Sequence, residues 1–285
     1  MSSSTDLESI DWSELSLERL QLLQSRISKV INIKIQEKLT RSTSNFTKDH
    51  KYKASLAKVF PQSMRSSLFN NQKCVFAISL GSKNFVYSER VEACIRWISD
   101  NFKNCLVLVG DSLHRLTIEA REGIEEDLAY LKAIRTGEKF IDDHYLLFQE
   151  YSESCQFEFK MISEIGKQLD FDIYYEELQS LYGRNESFEN TVNSFAEKYL
   201  NRGRPIEAGQ VQDPRQKYLA RRYLLEESAL FACIAKQEWL VFVYPGSIKT
   251  FEEISEGLHP EVPEPLKQIT WVSLGLKRLN AKESK

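Results

Sequence analysis

KCVFAISLGSKNFVYSER, residues 73–90, reads as a buried strand, a tight turn and the start of a helix. Val75, Phe76, Ala77 and Ile78 form an unbroken apolar run, the pattern of an inner strand covered on both faces, here predicted over Cys74–Ile78. The turn spans Ser79 to Lys83, with Gly81 expected to supply its conformational freedom. A helix is predicted from near Ser88, which is placed as its N-cap, with Glu89 and Glu92 in the first turn favouring the dipole. Ser79 then stands at the carboxyl end of a central strand, where open α/β sheets bind their ligands. By composition alone the better reading of Ser79 is a turn former.

Upstream, residues 16–39 carry a helical stripe of Leu17, Leu20, Ile27, Val30, Ile31 and Ile35. The polar stretch Thr40–Lys53 has linker character, and Lys58–Leu68 reads as a short helix or loop. Residues 1–70 are thus expected as an N-terminal extension and 71–285 as the main domain. Downstream, helices are expected at about 88–101, Ser112–Arg135, Asp143–Leu169, 186–201 and Pro214–Ala235, the last with Asp213 as cap and Pro214 in its first turn. Further strands are expected at Leu106–Val109, Phe171–Tyr175, Trp239–Tyr244 and Ile269–Leu274. This alternation predicts an α/β fold: a Rossmann-like, mainly parallel sheet flanked by helices, with a helical extension before it.

A chain of 285 residues with 42% apolar content can bury a large core, and its net charge of −3 gives no global signal for nucleic acid. Five scattered cysteines without a CxxC pair predict reduced thiols, and four separated histidines show no metal-ligand spacing. No apolar run reaches the roughly 18 residues of a membrane span, and the acidic N-terminus is unlike a signal peptide, so a cytoplasmic address is expected. Neither G-x-x-x-x-G-K-[ST] nor G-x-G-x-x-G occurs, nor do HIGH or KMSKS.

Within the predicted helix 214–235, Tyr223 and Glu227 stand four apart and share a face, continued by Leu230, Phe231 and Ile234. Glu226, about 100° away, is expected to be solvated. A carboxylate on an apolar face is costly unless it is paired, used, or able to reach water at the helix edge. Tyr244 and Pro245 close the later apolar strand. In a doubly wound sheet, Ser79, Tyr223, Glu227 and Tyr244 can meet at one rim.

The ordered set Ser79-Leu80-Gly81-Ser82, Tyr223-x-x-x-Glu227 and Tyr244-Pro245 resembles the cyclodipeptide synthases over roughly residues 70–275. That family is itself similar to the catalytic domain of class I tyrosyl- and tryptophanyl-tRNA synthetases. The resemblance implies an aminoacyltransferase that joins the aminoacyl groups of two aminoacyl-tRNAs into a diketopiperazine by ping-pong transfer, without a cofactor or metal. Ser79 would be the nucleophile and form an aminoacyl-serine intermediate. Tyr223 and Glu227 would hold the amino group, with Glu227 handling protons, and Tyr244 would support Ser79 and the closing step. Ser82, Tyr244 and Pro245 match the branch with a variable residue, Tyr and Pro at its marker positions.

Substrate contacts would fall to Val75, Ala77, Gly81, Ser82, Leu230, Phe242 and Pro245, with the apolar members hinting at a small or aliphatic first amino acid. Leu80 departs from the proline frequent after the nucleophile. The region matching the family's basic helix holds Lys132, Arg135 and Lys139 but also Glu138, Asp142 and Asp143. The more basic stretch is 202–222, with Arg202 and Arg204 and, as tRNA-binding candidates, Arg215, Lys217, Arg221 and Arg222. Its alternative is a solvated helix face. A monomer is expected. Two rival readings are a serine ester hydrolase, with Ser79 one residue short of a G-x-S-x-G elbow and Asp213 and His259 as partners, and a silent tRNA-binding Rossmann module.

Overall fold

The computed structural model describes residues 50–201 and 213–279. The expected helix over 16–39, and Arg202 and Arg204, lie outside the described residues. Chain order is β1 (Tyr52–Phe60), β2 (Lys73–Ile78), α1 (Lys83–Val86), α2 (Ser88–Asn101), β3 (Asn104–Val109), α3 (Asp111–Glu122) and α4 (Glu126–Gln149). There follow β4 (Gln156–Met161), α5 (Ile162–Ile165), α6 (Leu169–Arg184), α7 (Glu186–Leu200), α8 (Pro214–Lys236), β5 (Val241–Pro245), α9 (Lys249–Ser255), α10 (Glu264–Lys267) and β6 (Thr270–Arg278).

The strands form one six-stranded sheet in the order β1-β6-β5-β2-β3-β4, parallel except for the β1–β6 pair. The fold is α/β and Rossmann-like, as expected. β2, β3 and β5 are almost wholly buried apolar runs, the composition a parallel sheet needs when helices cover both faces. From β2 the chain winds outward through β3 and β4, and the later strands β5 and β6 add on its other side. The order therefore reverses between β2 and β5, and a crevice opens there at the carboxyl ends of the strands. Both Ser79 and Tyr244 sit at that reversal.

Several sequence expectations are corrected. Residues 52–60 are neither linker nor helix but an edge strand paired with β6, so the sheet begins ahead of the boundary expected at residue 70. Edge position explains the misreading, because β1 fully buries only Ala54 and Val59 and its other apolar residues are partly or wholly exposed. The outer parallel strand is Gln156–Met161, inside the stretch read as a helix over 143–169. Its alternation puts Phe157 and Phe159 against Phe148, with ring centroids at 5.1 and 4.9 Å. Residues 171–175 are helical instead; Phe171 and Tyr175, four apart, stack at 5.7 Å on one face of α6. The helix expected over 112–135 breaks at Gly123, whose φ of 68° is the left-handed C-cap that ends α3.

Two details bear on the rim. Ser88 is the first residue of α2 rather than its cap, and its hydroxyl lies 3.4 Å from His144 Nε2. Gly81 does not adopt a left-handed φ, and a Cβ there would make ordinary contact with His114 and Thr117. The glycine that geometry requires is Gly110, where a Cβ would fall 2.8 Å from the Ile78 carbonyl oxygen. Its amide donates to that oxygen at 3.0 Å, drawing the tips of β2 and β3 together. No helix of the described residues is long and apolar enough to cross a membrane.

Candidate active site

Helix α8 carries the site. Asp213 accepts a hydrogen bond from the Arg215 amide at 2.9 Å and starts the helix as predicted. From Leu219 to Ala235 nearly every residue is buried, as α8 packs against α3, α6 and α7. A helix covered all round cannot send a carboxylate to water, so each glutamate on it must be matched locally.

The two adjacent glutamates are matched differently. Glu226, expected to be solvated, is 5% exposed. It accepts from Arg115 at 2.8 Å and from Arg222 at 2.7 Å. Both guanidinium groups also reach Glu126, at 3.3 and 3.0 Å. Arg222 is half-buried and tied into this ion-pair network. Arg215 is exposed and lies 3.7 Å from Glu119, Lys217 is half-buried, and Arg221 stands over the Tyr182 ring at 5.9 Å.

Glu227 points the other way. It lines one small cavity with Ser79, Tyr244 and Ala77. Tyr223, one turn before it, is hydrogen-bonded to the Ser79 side chain. Burial pushes the Tyr223 phenol well above its usual range, the Glu227 carboxylate adds to the rise, and the bond to Ser79 opposes it. Tyr223 is thus a neutral phenol, able to act as a donor, at physiological pH. Tyr199 braces it from α7, with ring centroids 4.9 Å apart, and bonds through its own hydroxyl to Thr117. The four residues read as a group from the sequence are brought together.

The cavity is tight, with about 10 Å³ of free space, room for a single water-sized group. Ile78, Leu108, Gly110, Ile162, Phe231, Ile248 and Trp271 complete its walls. Of the expected substrate contacts only Ala77 lines it. Val75 and Phe242 pair across β2 and β5 one layer deeper, and Phe242 lies under Phe231 and Trp271. Leu230 faces Gly166 and lines a separate cavity beside Arg115 and Glu226. On α8 the position facing the rim is Phe231, eight residues after Tyr223. Trp271 was beyond sequence reach, because only the register Phe242↔Trp271 carries it to β5.

Gly81, Ser82 and Pro245 line a second, larger cavity of about 770 Å³, which shares Tyr244 with the first. Its walls are tied: Asn84 Nδ2 donates to the Pro245 carbonyl at 2.6 Å, and Arg90 donates to Asn84 Oδ1 at 3.2 Å. The turn after β2 is thus pinned to the tip of β5. Ser82 itself caps α1, accepting from the Asn84 amide.

The hydrolase triad is not assembled. His259 sits 3.3 Å from Glu253, edge-on to Phe188, and lines a different cavity from Ser79. Asp213 is engaged as the α8 cap.

No family model and no curated protein matches the sequence. Solved structures do match in fold. A CDPS from Fluoribacter dumoffii superimposes with a TM-score of 0.67 at 24% identity, over 80% of this chain and 99% of that one. A cyclodipeptide synthase from Bacillus thermoamylovorans gives 0.59 at 18% identity, over 81% and 98%. A cyclodipeptide synthase from Candidatus Glomeribacter gigasporarum, bound to Phe-tRNAPhe, gives 0.57 at 15% identity, over 77% and 93%. At these identities the likeness is one of fold.

Proposed function

We propose that this chain is a cyclodipeptide synthase of the variable-Tyr-Pro branch, using two aminoacyl-tRNAs to form a diketopiperazine. The observation that carries the reading is the meeting of Ser79, Glu227 and Tyr244 around one cavity, with Tyr223 set against Ser79 beside it. The fold shared with known synthases, one of them bound to Phe-tRNAPhe, supports it.

An aminoacyl-tRNA is an activated ester, so transfer needs a nucleophile and proton handling rather than ATP. Ser79 Oγ attacks the first ester carbonyl, the tRNA 3′-terminal ribose oxygen leaves with a proton, and an aminoacyl-serine remains. The amine of that adduct attacks the second ester, releasing the second tRNA and leaving a dipeptidyl-serine. The new terminal amine then attacks the carbonyl on Ser79, closing the ring and restoring the hydroxyl. Each attacking amine must be neutral, and Glu227 accepts its proton. Tyr223 holds the amino group and orients Ser79, while Tyr244 supports the closing step. Closure requires a cis peptide, disfavoured by about 2.5–4 kcal/mol for non-proline residues, and the tight site offsets this by proximity.

The small apolar cavity fits a small first side chain of the size of alanine. The sheet domain is the catalytic unit, acts as a monomer, and works in the cytoplasm, where charged tRNA is made. The segment before it forms an extension.

The test is expression in a bacterium with mass spectrometry of the medium for diketopiperazines, beside a Ser79→Ala control. Purified protein mixed with charged tRNA is expected to yield a peptide acylated at Ser79. Identical product profiles from wild type and control would sink the proposal.

A further inference from the structure

Among the described residues, the larger cavity is lined by two cations, Lys83 and Arg121, and by no carboxylate. That is unusual in a chain whose acids outnumber its bases, 41 to 38. Both side chains belong to exposed residues and form no salt bridge among the described residues. The lysines of α4, by contrast, are neutralised, Lys132 by Glu122 at 2.6 Å and Lys139 by Asp143 at 2.9 Å. On the helix that carries basic residues in the resembled family, Arg135 is the cation left without a salt bridge among the described residues.

Lys83 lines the cleft from the start of α1, and Arg121 from the end of α3. Tyr244 is common to this cleft and the Ser79 cavity, so a ligand filling the cleft ends beside the nucleophile. The half-buried Tyr199, packed against Phe195 and Tyr223, forms part of the cleft wall. A volume of about 770 Å³ is in the range of clefts that engulf a sizeable ligand.

We propose that this cleft receives the single-stranded 3′ end of the aminoacyl-tRNA, with Lys83 and Arg121 facing its phosphates while the aminoacyl group passes Tyr244 to Ser79. The proposal rests on the reading of the chain as an aminoacyl-tRNA enzyme and adds where, and through which cations, the RNA enters. Positive charge without competing carboxylates attracts a polyanion, and each phosphate contact contributes a salt-dependent increment.

The test is fluorescence anisotropy of a 5′-labelled RNA minihelix ending in CCA, titrated with the full chain over a salt series. Lys83→Gln and Arg121→Gln are each expected to weaken binding about fourfold at about 0.15 M salt and to flatten the salt slope by about 0.7 per cation. A Lys132→Gln/Lys139→Gln protein, similarly neutral on α4, is expected to bind like wild type. Melting temperatures confirm that the exposed substitutions leave the fold intact, and removing CCA from the RNA is expected to abolish the difference between wild type and the cleft variants. Unchanged affinity in the cleft variants overturns the proposal, as does a larger loss in the α4 variant. Free AMP competing as well as the whole minihelix also overturns it, in favour of a mononucleotide site. Ser79 acylation is scored separately: loss of RNA discrimination with acylation intact removes this inference alone, whereas absent acylation with intact binding removes the enzymatic reading.

Discussion

Glu226 and Glu227 are neighbours on one helix, yet α8 presents them to opposite kinds of surroundings. The Glu226 side is a charge network in which two guanidinium groups enclose two carboxylates. The Glu227 side is a nearly closed cavity walled by apolar side chains, a serine and a tyrosine, with no lysine or arginine in its lining. A carboxylate clamped by two guanidinium groups has its oxygen engaged in ion pairs and serves structure. One beside hydroxyl groups and apolar walls can exchange a proton with a bound amine. A rotation of about 100° between consecutive residues separates the two surroundings.

Neutralising each glutamate in turn breaks the comparison most sharply. Glu227→Gln is expected to reduce diketopiperazine formation by about 10²–10⁴-fold with little change in melting temperature. Glu226→Gln leaves buried Arg115 and half-buried Arg222 facing a single carboxylate, so it is expected to destabilise the fold by about 3 kcal/mol. Its folded fraction should retain most of its activity. Product yield per folded molecule, read beside urea unfolding, decides between these outcomes; a Glu226 variant as inactive as Glu227→Gln at full stability would erase the distinction.

The apolar side is sharpened next at Trp271. Trp271→Leu is expected to cost about 2–4 kcal/mol from lost packing against Phe251 and Phe242 and to admit larger first amino acids. Mass spectrometry of Ser79 adducts from a mixed charged-tRNA pool reports that selectivity, and an unchanged adduct profile would show that another wall sets it.

His114, on α3 beside the Gly81 turn, gives the smallest effect and a pH signature. Burial, together with the nearby Arg121 charge, lowers its pKa from 6.5 to about 4, against an opposing pull from Glu122. The folded state therefore binds this proton less readily than the unfolded chain. Stability from neutral His114 is fully present above about pH 6.5 and is lost as pH falls towards about 4. The loss is at most about 3 kcal/mol. His114→Gln should flatten stability over that window, as read by unfolding at stepped pH, and an unaltered profile would assign the acid sensitivity elsewhere.

Much of the fold was legible because its central parts are locally unambiguous. The apolar runs in β2, β3 and β5 have one use in an α/β protein, and the Pro214 start of α8 names its own cap. The edges were not legible. β1 and β4 bury only part of each strand, so their patterns overlap with those of loops and amphipathic helices. At the site, the i, i+4 spacing of Tyr223 and Glu227 and the strand ends at Ser79 and Tyr244 were visible in the chain. The wall residues were not, because helix periodicity alone does not distinguish Leu230 from Phe231 as the residue facing the rim.

The sequence by itself determined which residues lie at strand tips and on a shared helix face, since those follow from periods of two and 3.6 residues within one segment. Only the tertiary structure decided that Glu226 is clamped by arginines from two helices, that Trp271 closes the cavity, and that Lys83 and Arg121 face one cleft. Those meetings depend on strand order and helix packing between segments far apart in the chain, and local pattern carries no record of distance.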